Sequence, residues 1–210
     1  MVLILEPSLS EQLRILYEDM EQGYDMVARK LGHGCDGCPD NCCDSYFLHH
    51  TYIEWVYLWQ GIEALDDDRR QTLIARARAY ETQAQNLIAA GERPKIMCPL
   101  NEAGRCVLYR HRLMVCRTHG VPASMTRPDG RRLTFPGCFR CQELIADKGI
   151  GEMDVPHMDR TRLLKRLVML EQELLQGRRH RAPKVKRTIA SMLICGPPEV
   201  PPCLDQKKTG

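Results

Sequence analysis

Gly34-Cys35-Asp36-Gly37-Cys38-Pro39-Asp40-Asn41-Cys42-Cys43-Asp44 is the stretch on which the reading of this chain turns. A C-x2-C turn such as Cys35 to Cys38 aims two thiolates at one ion, because the tight backbone between them turns its N–H groups toward sulfur. Gly34, Gly37 and Pro39 supply the conformations that such a turn needs. The adjacent pair Cys42-Cys43 reads differently. Successive side chains diverge, so these two thiols are expected to serve different sites, or one ligates and the other stands nearby. Downstream come Cys98, Cys106 and Cys116, then a second C-x2-C at Cys138 and Cys141. All nine, Cys35, Cys38, Cys42, Cys43, Cys98, Cys106, Cys116, Cys138 and Cys141, are candidate metal ligands. They bunch at turns, whereas cysteines buried as small hydrophobes scatter.

Zinc takes four nitrogen or sulfur ligands in a tetrahedron. Iron–sulfur clusters take four thiolates, often three close together and one remote. Both zinc and an iron–sulfur cluster of the 4Fe–4S type fit, and the grouping of Cys35, Cys38 and Cys42 leans toward the cluster. One site of four leaves too many thiols over, so two zinc ions, or one cluster with extra ligands, use the nine better.

Redox setting decides whether such cysteines are ligands or disulfides. The chain has eleven cysteines in 210 residues. The N-terminal apolar run Val2 to Leu5 ends at Glu6-Pro7 and has no basic segment before it, whereas a secretory signal has an apolar core of about 7–15 residues. No stretch approaches the ~18 apolar residues of a membrane span. The expectation is a soluble cytoplasmic protein with reduced thiols, which favours metal over disulfides. A net charge of +3 with 27% charged residues is too balanced for a surface built wholly for nucleic acid.

The rest of the chain predicts a mainly α fold with irregular cysteine-rich metal-binding loops, a small α-helical metal-cluster domain. Leu9, Leu13, Leu16, Met20, Tyr24, Val27 and Leu31 recur at helical spacing over 8–30. Ser8 and Glu11 form a capping-box pattern, and Gly32 and Gly34 stop the helix. A second helix is expected over 45–62, with Tyr46, Phe47, Tyr52, Trp55, Tyr57 and Trp59 packing the core and walling the metal from water. A third is expected over 67–90, starting among Asp66, Asp67 and Asp68. Between Cys98 and Cys141 the reading is turns, at 101–104 and 128–130, with short strands. A last helix is expected over 158–176. Residues 1–176 form one domain in this reading, and 177–210 a basic and then proline-rich tail, poorly ordered at its end.

Some residues lie at the margin. Cys195 and Cys203 read as unpaired surface thiols. His119, three residues after Cys116, is either a ligand or a neighbour of one, and His49-His50 is a weaker candidate. Arg112 and Arg117 flank Cys116, where N–H donors offset thiolate charge. The run from Arg178 to Arg187 holds six Lys or Arg in ten residues. It lacks the aromatics of a base-stacking surface.

These residues together resemble the bacterial CxxCxxCC cysteine-cluster family, also described as a zinc- or iron-chelating domain. Cys35, Cys38, Cys42 and Cys43 before Tyr46-Phe47 resemble its first block. Cys98-Pro-Leu, Gly104-Arg-Cys106-Val-Leu-Tyr109, His111-Arg112 and Cys116-Arg117 resemble its second. The likeness spans roughly residues 30–145. Two departures are visible: three residues separate Cys38 from Cys42 where the family has two, and Leu113 stands where it has proline. The resemblance implies a metal-binding protein with a structural or electron-transfer centre. Related cysteine-cluster proteins include a flagellin lysine N-methylase, so a metal-dependent protein-modifying enzyme is one alternative. A zinc-stabilised nucleic-acid or partner-binding module is another. The expected partners are the metal ion or cluster and another protein; neither nucleic acid nor membrane is expected. No glycine-rich loop of dinucleotide type is present, and no catalytic residue can be assigned from sequence.

Overall fold

The computed structural model describes residues 2–35 and 42–200, so Cys38, Cys203 and the turn at 37–39 lie outside the described residues. Leu9, Leu13, Leu16, Met20, Val27 and Leu31 share the buried face of helix α1 (Pro7–Leu31). A fully buried leucine contributes roughly 1.5–3 kcal/mol, and Leu13 and Leu16 have no exposed surface. The expected capping box is not formed. Pro7 opens the helix, where its fixed φ suits the first turn. Glu11 instead turns to Arg14 at 2.6 Å. At the other end Gly32 adopts φ 65°, the left-handed cap that glycine permits.

Helix α2 (Tyr52–Glu63) is apolar nearly all round and buried from Tyr52 to Leu58 without a break, as a central helix must be. It starts seven residues later than expected, at a Thr51 N-cap whose side chain accepts from the Glu54 N–H. Residues 45–51 are not helical because their backbone pairs elsewhere. Ser45 bridges to Lys95 and His49 to Arg187. Gly61 lets α2 approach the next loop: a Cβ there would fall 2.6 Å from His111 Cγ. Helix α3 (Asp67–Ala89) is capped by Asp66, which accepts from Arg69 N–H at 2.8 Å.

The second half is less regular. A hairpin of β1 (Asn101–Glu102) and β2 (Arg105–Cys106) turns through Ala103 and Gly104, both at positive φ. Helix α4 (Met114–Thr118) follows. A three-stranded sheet sets β3 (Ala123–Thr126) between antiparallel β4 (Arg132–Phe135) and parallel β5 (Met158–Asp159). Helix α5 (Phe139–Asp147) lies between β4 and β5, and α6 (Thr161–Leu174) packs against α1 and α2. The last expected helix therefore begins three residues late, because Met158 and Asp159 pair with Ala123 and Ser124 as strand.

Residues 177–200 are not a loose tail. Helix α7 (Ile189–Cys195) packs on α3, burying Ala190, Met192 and Leu193. Leu3 N–H donates to the Pro198 carbonyl at 3.0 Å, so the apolar Val2–Leu5 run is closed against the chain's far end. Among the described residues the chain is mainly helical, and no helix is long and apolar enough to cross a membrane.

Two buried carboxylates tie these elements together. Glu171 on α6 accepts the Tyr52 N–H at 3.1 Å and the Ile53 N–H at 2.8 Å. It thus satisfies two of the donors that the start of α2 cannot pair internally. Glu54 on α2 does the same for α4, accepting the Met114 N–H at 2.8 Å, while its other oxygen accepts the Thr51 hydroxyl at 2.7 Å. Burial raises both carboxyls; the Thr51 hydroxyl and the Met114 N–H oppose this at Glu54, and the Ile53 and Tyr52 N–H groups oppose it at Glu171.

Glu171→Ala leaves two buried donors without an acceptor and is expected to lower stability by about 2–4 kcal/mol. Glu171→Gln, which keeps one carbonyl, should lose less. Denaturant midpoints test this, and a midpoint for Glu171→Ala equal to wild type contradicts the capping role. A second expectation concerns His49, which is 4% exposed and pushed down to about 4 by burial, with His50 adding repulsion. A histidine near 6.5 when unfolded must protonate on unfolding. Its contribution is therefore complete above about pH 6.5 and lost as pH falls toward 4, a span worth roughly 3 kcal/mol. Melting curves from pH 7 to 4 should show this loss, and His49→Gln should flatten it; an unchanged slope in the variant rules His49 out.

Candidate metal centre

The eight described candidate cysteines reach the site from separate elements. Cys35 follows the α1 cap; Cys42 and Cys43 lie in a single 3-10 turn. Cys98 precedes the hairpin, Cys106 ends it, and Cys116 sits in α4. Cys138 caps α5 and Cys141 lies one turn inside it. All are free thiols.

Two groups of contacts surround them, one at Cys98 and one at Cys138, and Cys42, influenced first by Cys43, joins the two. In the first, Cys43 and Cys98 meet through the backbone, the Cys98 N–H donating to the Cys43 carbonyl at 2.9 Å. The hairpin register sets Cys106 opposite Asn101, whose N–H donates to the Cys98 carbonyl. Two ion pairs, from Arg69 and from Arg76 at 2.7 Å, hold hairpin residue Glu102 on α3. Burial pushes the Cys98 thiol up to about 12, against an opposing N–H from Leu100 and with added repulsion from Cys43 and Cys106. Cys106 is raised by burial and opposed by the Leu108 N–H. Cys116 is raised most, by burial and then by Cys98, Cys106 and Cys43.

In the second set the Tyr24 hydroxyl lies 3.6 Å from Cys35 Sγ, and His33 Nε2 lies 3.9 Å from Cys138 Sγ. Tyr24 also feels the charges of Cys138 and Cys42. Cys138 is fixed by its N–H donating to the Gly120 carbonyl at 3.0 Å. Glycine is needed on both sides of that contact. A Cβ at Gly120 would lie 2.6 Å from the Tyr24 hydroxyl, and one at Gly137 would lie 2.6 Å from the Gly120 oxygen. Burial raises Cys42 to about 11, with repulsion from Cys43, Cys35 and Cys138. Cys141, fully buried, rises to about 11 for the same reason, with repulsion from Cys138 and Cys35.

Within these sets the thiols are neighbours, yet among the described residues no group of three or more His, Cys, Asp or Glu stands at distances that could hold a metal ion. The donor chemistry suits a soft metal: free thiols, backbone N–H groups turned to sulfur at Leu100 and Leu108, and cations at Arg112 and Arg117 that favour the Cys106 thiolate.

Arg117 has a further part that the sequence reading did not include. It is buried over the Tyr17 ring, 4.3 Å from its centroid. Its N–H groups go to the carbonyls of Arg110 and Arg112 and to Glu21, clamping the loop before Cys116 to α1. Tyr24 and His33 were also missed as site residues. His33 lies two residues before Cys35, a signal that was available; Tyr24 carried none beyond its place on the α1 face.

Other expectations fare differently. His119 rests edge-on against Phe47, ring centroids 5.0 Å apart, and burial lowers its basicity. His49 and His50 line a cavity of about 430 Å³ with Glu54, Met114, Leu167 and Glu171, away from the helix on which they were expected. Of the central aromatics, Tyr57 reaches the second cysteine block, donating to the Arg110 carbonyl and lying against His111. Trp55 faces the other way, toward Gly196 and Arg187. The basic run is partly consumed internally: Arg179 pairs with Glu171 at 3.3 Å, and Arg187 covers Trp55 and donates to Ser191 and Cys195. Comparison with protein-family models, with curated proteins and with solved structures found no match to this chain.

Proposed function

We propose that this is a metal-binding cysteine-cluster protein whose centre, zinc or an iron–sulfur cluster, is structural or electron-transferring. The observation that carries the reading is the convergence of eight free thiols, from turns and element ends spread over 107 residues of chain, onto one another's electrostatic surroundings. Gathering thiols in this way has no packing advantage over apolar side chains. Cys42, Cys98, Cys106, Cys116 and Cys141 are raised by burial and by neighbouring thiols, so these are ill-suited to ionise alone. A soft cation reverses that balance, because it binds thiolates and supplies the opposing charge. The N–H donors at Leu100 and Leu108 support the reading, since they favour sulfur carrying negative charge.

Within this reading the ligands are drawn from Cys35, Cys38, Cys42, Cys43, Cys98, Cys106, Cys116, Cys138 and Cys141, of which Cys38 lies outside the described residues. Tyr24 and Arg117 position them. A bound metal would supply charge compensation or one-electron redox capacity. The internal pairing of Arg179 and Arg187 removes part of the basic surface that a nucleic-acid reading needs.

Protein made and purified without oxygen or chelators is expected to carry zinc or iron. Elemental analysis, acid-labile sulfide and the visible spectrum distinguish a colourless zinc protein from a brown cluster protein. Cys98→Ser should lose metal and melt at lower temperature; Cys195→Ser should do neither. Metal-free wild-type protein with native helicity and cooperative melting would refute the reading.

A further inference from the structure

Residues 48–51, the first turn of α2, the start of α4 and one face of α6 enclose the cavity of about 430 Å³, a size within the roughly 300–1,000 Å³ of small-molecule sites. None of the described cysteines lines it. Its walls are mainly apolar, formed by Leu48, Met114, Val115, Leu164, Leu167 and Val168. The polar groups on it are few, and acceptors outnumber donors. His49 is 4% exposed, yet its hydrogen bonds run through its backbone, which pairs with Arg187. Among the described residues nothing bonds its ring, so a buried imidazole lines the cavity with both nitrogens unengaged. Beside it, His50 Nδ1 stands 3.2 Å from the Val185 carbonyl. A carbonyl only accepts, so Nδ1 carries a proton, and Nε2 of the neutral ring is left as an acceptor.

Glu54 and Glu171 add their carboxylates to the same cavity. The two differ in their counter-charge. Glu171 pairs with Arg179 at 3.3 Å. Glu54, among the described residues, is met by neutral donors only, the Thr51 hydroxyl and the Met114 N–H. One buried carboxylate thus stands beside an apolar space without a cation, a costly arrangement for a charge removed from water. We propose that this cavity binds a small primary amine, its ammonium group toward Glu54 and the two imidazoles and its apolar body against Met114, Leu164 and Leu167. The three N–H donors of an ammonium suit a surface rich in acceptors, and its charge is the one that Glu54 lacks. An organic acid would meet Glu54 as a like charge, and the one arginine on the cavity is already engaged by Glu171. An alcohol brings a single donor and no charge. This inference goes beyond the metal-binding reading and does not rest on it.

The test uses the full chain at neutral pH with phenethylamine as the probe. Phenethyl alcohol and phenylacetate, of similar body and different head group, are the comparators. Affinity is read by calorimetry, and the position by amide shifts of isotope-labelled protein. The amine is expected to bind at least about tenfold more tightly than either comparator, with shifts centred on residues 48–54, 114–115 and 164–172. His49→Phe keeps the shape of the ring and breaks no bond to it, and should weaken amine binding about tenfold. Val168→Trp, at a position 50% exposed on the cavity wall, narrows the space and should weaken it as well, which keeps the test open if His49→Phe does not fold. Equal affinity for the three probes reveals an apolar hollow without head-group selection and overturns the proposal. So does an absence of amine binding, or amine affinity unchanged in both variants. None of these outcomes touches metal content, so failure here leaves the metal-binding reading standing.

Discussion

Buried carboxylates that cap helices belonging to other parts of the chain hold this molecule together. Glu171 satisfies the start of α2, and Glu54, in the first turn of α2, satisfies the start of α4. The result is a relay from α6 through the central helix to the segment that carries Cys116. Each link exchanges the desolvation of a charged group for two directional hydrogen bonds, and it holds because the N–H donors at a helix start have no partner of their own. Arg117 repeats the device with opposite sign, setting a buried guanidinium against loop carbonyls. The irregular cysteine-bearing half of the chain thereby gains a fixed position on a regular helical half.

That fixed position matters because the thiols exert no attraction on one another. Buried thiols close together repel as thiolates and gain little as thiols. The backbone must bring them together and keep them there. It does so with hairpin hydrogen bonds around Cys98 and Cys106, and with close glycine contacts around Cys138 that no larger residue would allow. Tight packing at Gly120 and Gly137 and the buried clamp at Arg117 fix the backbone around Cys138 and before Cys116.

The closing segment illustrates how composition misleads. A run of arginines and lysines followed by prolines has the character of a solvated tail. Yet its arginines lie over Trp55 and Tyr52 and pair with Glu171, while α7 fills the stripe of Leu73, Ala77, Tyr80 and Ala84 on α3. Arginine serves here through its flat apolar face as much as through its charge.

The sequence by itself determined the helical periodicity of α1, the Asp66 start of α3 and the hairpin turn at 101–104. Each of these depends on residues within a few positions of one another, where spacing and turn chemistry act directly. Only the tertiary structure decided that 45–51 is extended, that the Ser8 capping box gives way to Pro7, that 177–200 folds back, and which thiol neighbours which. Those outcomes rest on contacts between distant residues: His49 with Arg187, Glu171 with Tyr52, Cys43 with Cys98, Tyr24 with Cys35. A backbone hydrogen bond or a buried charge is satisfied by whatever partner the whole fold delivers, and local sequence carries no record of that partner.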